Sequence, residues 1–225
     1  MISIIVPVLN EEREIVDLLD HLRELPGDKE ILVVDGGSED RTCALAGAVP
    51  MVQVLDAPRG RGSQIEAGAR ATHGSTLLIL HADCRLPPDA LLRVAELQSN
   101  GGRWGWFDLR YEPCSRPLAA SGWILNCWRR ALRDPRGDNA MFMTTEAWRQ
   151  VGGCDCIPLM EDVLLASRLR RLGHGSCLPG PVVTSPRRLR HAGILRTWAL
   201  CASLFVAFRL GASPERLARF YANVR

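Results

Sequence analysis

Two short runs of apolar, largely β-branched residues, Ile2 to Val8 and Glu30 to Asp35, flank a stretch of helical spacing, and this arrangement limits the fold more than any other feature. A run with no polar alternation reads as a strand buried on both faces. Between the runs, from Glu11 to Leu25, Ile15, Leu18, Leu19, Leu22 and Leu25 recur at helical intervals behind an acidic first turn, which suits the positive end of a helix. Strand, helix and strand within about 35 residues make a βαβ unit, with parallel strands and a right-handed crossover. Gly36-Gly37-Ser38 then turns the chain toward the next helix.

The alternation continues with a strand from Met51 to Leu55, a helix from Gly62 to Ala71, a strand from Thr76 to Leu80 and a helix from Pro88 to Leu97. The second half is less regular. Trp104 to Tyr111 alternates enough to predict an antiparallel strand with one face partly exposed, and Leu118 to Leu132 predicts a helix. Gly137 to Phe142 reads as a loop entering a short strand, followed by a helix over 145–151. Glu161 to Leu172 is helical, with Val163, Leu164, Ala166, Leu169 and Leu172 inward, and Val182-Val183 belongs to a late strand ending at Thr184-Ser185-Pro186. No linker or repeat interrupts 1–225, so one domain is expected, with a regular half over 1–100, a less regular part over 101–190 and a helical end over 191–225.

Composition removes several alternatives. With 47% hydrophobic and 24% charged residues, the 225-residue chain is neither disordered nor collagen-like. A net charge of +3 gives no bulk attraction to nucleic acid. The eight cysteines are scattered without a CxxC pair, which predicts reduced, mostly buried thiols and a cytoplasmic chain. No GxGxxG follows the first strand and no GxxxxGK[ST] occurs, which disfavours a dinucleotide site and rules out a P-loop.

In an open parallel sheet, ligands bind beyond the carboxyl ends of the strands. Asn10-Glu11-Glu12, Asp35-Gly36-Gly37-Ser38 and His81-Ala82-Asp83 all fall there. Asp40 or Ser38 can cap the helix that begins near Thr42, leaving Asp35 free for a ligand.

The residues now carry a resemblance. Ile4-Ile5-Val6-Pro7-Val8-Leu9-Asn10-Glu11-Glu12 and Val33-Val34-Asp35-Gly36-Gly37-Ser38-Glu39-Asp40-Arg41-Thr42, then Arg59-Gly60-Arg61-Gly62-Ser63-Gln64, Leu80-His81-Ala82-Asp83, Gly137-Asp138-Asn139 and Met160-Glu161-Asp162, form an ordered set. It resembles the family 2 glycosyltransferases and covers residues 1 to about 190. The resemblance implies an α/β GT-A fold, a mostly parallel central sheet flanked by helices and followed by C-terminal helices. It also implies transfer of a sugar from a nucleotide-diphosphate donor to an acceptor with inversion, with 1–100 the nucleotide-binding half and 101–190 the acceptor and catalytic half. The Arg59 to Gln64 block, His81-Ala82-Asp83 and Thr184-Ser185-Pro186-Arg187-Arg188 further resemble a compact bacterial subgroup of radical-SAM/selenodomain-associated transferases.

Carried over residue by residue, Pro7, Asn10 and Glu11 match the loop touching the nucleoside, and Asp35 matches the aspartate that bonds the base. Arg59, Arg61 and Gln64 match the glycine-rich segment near the donor, where Gly60 and Gly62 would let backbone approach phosphate. Asp83 matches the last acid of the DxD motif, which implies a divalent cation, Mn²⁺ or Mg²⁺. His81 stands where the family has its first aspartate, as a softer candidate ligand or a hydrogen-bonding neighbour. Glu161 and Asp162 match the catalytic acidic pair, with Asp162 the general base. Adjacent helical positions diverge by about 100°, so the two are not expected to share a proton.

Asp138 and Asn139 are candidate sugar or acceptor contacts, Arg187 and Arg188 candidate phosphate contacts, and His174 and His191 candidate late metal ligands for which structural roles are the favoured expectation. Trp104, Trp106 and Trp123 are candidates for sugar stacking or for the core. Thr197 to Phe208 is apolar all round but too short to span a bilayer, which needs about 20 apolar residues. Burial, a homo-oligomer contact or a contact with the inner membrane face remain open for it. Two alternatives stand beside the enzyme: a catalytically silent nucleotide-sugar-binding or assembly protein, and a nucleotidyltransferase. The second lacks the basic glycine-rich loop expected after the first strand.

Overall fold

The computed structural model describes residues 1–222, the side chains of Arg188, His191 and Ala222 excepted. Four parallel strands, β1 (Ile2–Val8), β2 (Lys29–Asp35), β3 (Val52–Asp56) and β4 (Thr76–Ile79), lie in the order β3-β2-β1-β4. The crossovers are α1 (Ile15–Glu24), α2 (Thr42–Gly47) and α3 (Arg61–Ala71). Val8 pairs with Asp35 and Asp35 with Asp56, so the carboxyl ends of the first three strands are level. This register carries the loops after β1 and β2 to the same edge.

After β4 come β5 (Cys84–Arg85), α4 (Ala90–Ser99), β6 (Trp104–Tyr111), α5 (Arg116–Leu132) and a 3₁₀ turn over Gly137–Asn139. Then follow β7 (Phe142–Thr144), α6 (Thr145–Val151), α7 (Glu161–Arg171), β8 (Ser176–Thr184), α8 (Arg187–Ala192), α9 (Ile194–Arg209) and α10 (Pro214–Ala222). The full sheet order is β3-β2-β1-β4-β7-β6-β8-β5. β7 runs antiparallel to β4 and β6, whereas β8 runs parallel to β6. The result is the expected α/β architecture.

Alternate residues of the strands feed two cores, as the two-residue strand period requires. Ile4, Val6 and Val33 pack with Leu18 and Leu22 of α1 and Leu91 and Val94 of α4. Ile5 and Val34 face the other way, onto Ile65 of α3 and Leu165 and Leu169 of α7. In α7 Leu165 is buried instead of the expected Leu164, alongside Val163, Ala166 and Leu169 as expected.

Several expectations change. β6 is buried on both faces apart from Asp108 and Arg110, because helices cover the sheet on each side. Trp104 and Trp106 stack in the core with ring centroids 5.6 Å apart, so neither offers a face to sugar. α1 begins at Ile15, because the N–H groups of Asn10, Glu11 and Glu12 are bound by Ser38, Thr42 and Asp40 instead of by a helical turn. All eight cysteines are free thiols, but only Cys84 and Cys154 are buried. α9 packs through Leu204 onto Leu159, Val163 and Leu217, leaving Leu195 and Val206 in solvent. Among the described residues, no helix is long and apolar enough to cross a membrane.

Candidate active site

The loops after β1 and β2 are sewn together by short polar side chains. Asn10 donates its backbone N–H to Ser38 Oγ (2.8 Å) and accepts from Glu39 N–H at Oδ1 (2.8 Å). Asn10 has a φ of 55°, a left-handed conformation that asparagine tolerates better than most residues. Asp40 accepts from Thr42 N–H (2.9 Å), the capping role expected for it.

Asp35 is not left free by this arrangement. One carboxylate oxygen accepts from Gly37 N–H and Ser38 N–H, each at 2.8 Å, while the Ser38 hydroxyl donates to the other. Burial favours the neutral acid, but these bonds outweigh it and hold the pKa below 3.8. The nearby Cys43 thiol bonds the same carboxylate, and burial together with that charge pushes it up to about 11. Pro7 is buried beneath this edge.

Gln64 lies behind the two loops. Its amide donates to Val8 O and Val34 O, both at 2.7 Å, tying together the ends of β1 and β2. Its donors are therefore spent on backbone, and its effect on the edge is architectural. Gly62 has a similar explanation: a Cβ there would sit 2.0 Å from the carbonyl oxygen of Asp155. The close approach that requires glycine is to this chain's own 153–157 loop, which corrects the reading of Gly62 as room for phosphate. No side chain caps α3, whose first N–H groups and dipole suit an anion. Arg59 is exposed just before it.

The second cluster gathers charges from four segments. Arg61 Nε lies 2.7 Å from Glu161 Oε1. Glu161 is only 2% exposed, and its second oxygen is buried without a hydrogen-bond partner. Burial raises the Glu161 pKa, the Arg61 guanidinium opposes that, and neighbouring Asp162 adds to it. Asp162 points elsewhere, accepting from Gly137 N–H (3.0 Å) and from Val163 N–H (2.8 Å). The two acids have separate partners, as their helical divergence requires.

Two non-glycine residues with positive φ bracket this segment: Ala140 (45°) closes the 3₁₀ turn and Met160 (72°) opens α7. Strain of this kind costs of order 1–3 kcal/mol and persists only where surrounding contacts enforce it. Here the contacts are the Asp162–Gly137 bond and an ion-pair chain. Asp138 pairs with Arg129 of α5 at 3.1 Å, and Asp134 lies 2.7 Å from Arg136 and 2.6 Å from Arg170. The Arg136 guanidinium rests 5.2 Å from the Phe205 ring centroid, linking α9 to the turn.

His81 sits inside this cluster. Burial lowers its pKa below 6.5, Arg61 lowers it further, and Asp83, Asp138 and Asp162 pull it upward without reversing the shift. Its Nε2 is packed so tightly on Gly137 that a Cβ there would lie 2.3 Å away. That contact suits a packed neutral ring, not a metal ligand. Asp83 is exposed, with only a 3.5 Å contact from the Cys84 thiol. Among the described residues, no three His, Cys, Asp or Glu side chains converge in a metal-binding group. One open carboxylate nevertheless fits Mg²⁺ or Mn²⁺, hard ions that take most of their shell from phosphate and water.

The other sequence candidates separate. Asn139 is 0% exposed, donating to Phe107 O (2.7 Å) and accepting from Arg136 N–H (3.0 Å). It therefore braces the turn and has no surface for a sugar or acceptor. Arg187 pairs with Glu14 at 2.7 Å, on the approach to α1. The Arg188 and His191 side chains lie outside the described residues. His174 is exposed beside Arg133, away from the acidic cluster. The sequence reading missed Arg129, Asp134 and Arg136; their only linear signal was an arginine-rich stretch around a turn.

A parallel α/β sheet with carboxylates and guanidinium groups gathered beyond β1, β2 and β4 defines the GT-A class of fold. The comparisons agree and go one step further. The chain belongs to glycosyl transferase family 2, whose model matches residues 3–148. It is 28% identical over 209 residues to a probable glycosyltransferase of Sulfolobus acidocaldarius, covering 80% of this chain and 44% of that protein. It is 30% identical over 112 residues to an undecaprenyl-phosphate 4-deoxy-4-formamido-L-arabinose transferase of Pseudomonas aeruginosa, covering 45% of this chain and 33% of that one. The chain thus spans less than half the length of these relatives. In fold it is similar to S. aureus TarS 1-349 (TM-score 0.70, 15% identity, 99% of this chain and 71% of that one). It is also similar to the mannosyltransferase PcManGT of Pyrobaculum calidifontis, solved with GDP-Man and Mn²⁺ (TM-score 0.64, 20% identity, 99% and 69%).

Proposed function

We propose that the chain transfers a sugar from a nucleotide-diphosphate donor to an acceptor hydroxyl with inversion, Asp162 acting as general base. The observation that carries this reading is the Asp162 carboxylate, aimed by the Gly137 N–H into a cluster shared with Arg61, His81 and Asp83. A base must be held in line with the attacking oxygen, and a backbone donor on a rigid turn serves that need. Asp162 takes the acceptor proton as the oxygen attacks the anomeric carbon. The donor's nucleoside rests on Asn10 and Glu11, with Pro7 buried beneath them as support. Asp35 accepts from the base by replacing the Cys43 thiol, a weak donor. Arg59, Arg61 and the uncapped start of α3 receive the diphosphate, and Gln64 keeps the edge in shape behind them.

Asp83 would hold a divalent cation, Mg²⁺ or Mn²⁺, which when bound supplies positive charge to the leaving diphosphate. His81 supports that segment as a packed neutral ring. Glu161 keeps Arg61 oriented, and Asp138 faces the acceptor side with Arg129 behind it. Residues 1–222 work together as one catalytic unit in this reading, and the free thiols suit a reducing cytoplasm. Contact of 197–208 with a second copy or with the inner membrane face belongs to the same proposal, supported by the outward Val206. So does membership of the radical-SAM-associated subgroup, supported by the Arg59 to Gln64 and His81 to Asp83 blocks.

Calorimetric titration with a panel of nucleoside diphosphates and their sugars, with and without Mn²⁺, tests the reading in wild type and Asp83→Ala. Metal-dependent binding of one nucleotide, weakened in the variant, is the expected result. Failure of every nucleotide to bind, with or without metal, would leave a protein that kept the fold without the chemistry.

A further inference from the structure

α5 is amphipathic in an unusual sense: its inner side serves the charged cluster, while most of its outer side is apolar and uncovered. Arg129 reaches inward to Asp138 and Asn126 brackets the backbone of Leu109. At about 100° per residue, Trp123, Cys127, Ala131, Ile124 and Trp128 fall on one continuous outward sector. Trp123 is 68% exposed and Trp128 63%, with Ile124 and Leu132 also in solvent. Beside Trp123 an apolar groove of about 310 Å³ opens between the helix and β6, lined by Leu109, Tyr111, Leu118 and Pro181.

The charges around this sector are nearly all of one sign. From Pro113 to Arg133 there is no acidic residue, whereas Arg116, Arg129, Arg130 and Arg133 all fall within it. Arg116 and Arg130 project on the same side as Trp123, about 21 Å apart along the helix axis. Arg130 also pairs with Asp108. Arg190 adds a guanidinium at the helix start, donating to Pro113 O at 3.3 Å. The one exposed acid beside the segment, Glu112, faces Arg110 at 3.6 Å.

We propose that this face of α5 docks on an anionic lipid bilayer. Tryptophans settle at the boundary between headgroups and acyl chains, and arginines beside them reach the phosphates with their stems still buried. A second copy of the chain is the less suitable occupant. A two-fold contact would lay the patch on itself, setting Arg116 and Arg130 against one another, with Asp108 already paired to Arg130 within the same copy. Docking would hold the Asp138–Arg129 side of the site about one helix diameter, roughly 10 Å, from the lipid surface.

The test is co-sedimentation of the full chain with phosphatidylcholine vesicles, with and without phosphatidylglycerol, alongside sedimentation velocity in the absence of lipid. The expected affinity is at least about tenfold higher for the anionic vesicles, falling with added salt. The double variant W123S/W128S, altered only at exposed positions, is expected to lose at least about tenfold in vesicle binding with an unchanged circular dichroism spectrum and nucleotide affinity. Absence of vesicle binding would overturn the proposal, as would binding undiminished in the variant. A lipid-free dimer that the variant dissociates, with no vesicle binding, would overturn it in favour of a second copy. None of these readouts depends on sugar transfer, so the docking face and the proposed reaction stand or fall separately.

Discussion

The edge around Asn10 and Asp35 and the acidic cluster around Glu161 are neighbours built on different plans. Around Asn10 and Asp35 the holding groups are backbone N–H donors and short side chains one turn away, on loops following level parallel strands. In the acidic cluster Glu161 and Asp138 are held by guanidinium groups, Arg61 of α3 and Arg129 of α5, while Asp162 takes backbone N–H donors from the 3₁₀ turn and its own helix. The first plan gives a preformed cradle whose shape survives the loss of one charge. The second is a balance of charges, in which the buried Glu161 depends on Arg61 and Asp138 on Arg129.

Loss of function should separate the two regions most sharply. Asp162→Asn is expected to lower turnover by about 10²–10⁴-fold while nucleotide affinity stays near wild type. Asp35→Ala should weaken nucleotide binding and so act on the other quantity. Initial rates set against donor titrations check this, and a common loss of binding in both variants would erase the distinction.

Stability gives the next largest contrast. Glu161→Ala strands Arg61 beside Asp162, and because Arg61 is partly exposed the cost should be on the order of 2–3 kcal/mol, below that of a fully buried pair. Gln64→Leu removes one donor from each of the Val8 and Val34 carbonyls, Val8 O keeping the Gly36 N–H, at about 1–2 kcal/mol. Urea unfolding ranks the two variants, and a reversed order would mean that the neutral brace outweighs the charged one.

The smallest effect is in pH. The His81 pKa lies below its unfolded value of 6.5, so on acidification the unfolded chain takes a proton first and stability falls from about pH 6.5 downward. Asp35 lies below 3.8; its contribution is present above that value and is lost only as pH falls through the lower folded value. The acidic cluster should therefore loosen first. Melting temperatures of wild type and His81→Gln between about pH 7 and 5 test this, the variant showing the shallower decline.

The same division explains what the sequence disclosed. The β1 to β4 alternation was legible because its period is local, and Asp35, His81 and Asp83 fall at strand ends for that reason. Asp162 and Glu161 were legible only through family resemblance. The bonds on Asp35 from Gly37 and Ser38 are local, two and three positions on, and the Asp-Gly-Gly-Ser run carried a turn signal for them. The burial of Asn139 depends on Phe107, 32 positions away, and the need for glycine at 62 depends on Asp155. Tertiary contacts of that range leave no periodic mark, and neither does β5, only two residues long.

Phe205 lying over Arg136 has a consequence for how such chains diversify. The guanidinium that borders the acidic cluster takes one of its walls from α9, beyond the 3–148 span that the family model matches. Relatives exchanging C-terminal segments cannot treat that region as a detachable cassette. An incoming segment must bring its own flat aromatic surface to that spot, or the arginine before the turn loses its orientation. That ring adds to the packing of Leu189, Ile194 and Trp198 against Leu109 and Leu118, which fastens the C-terminal helices to the earlier part of the chain.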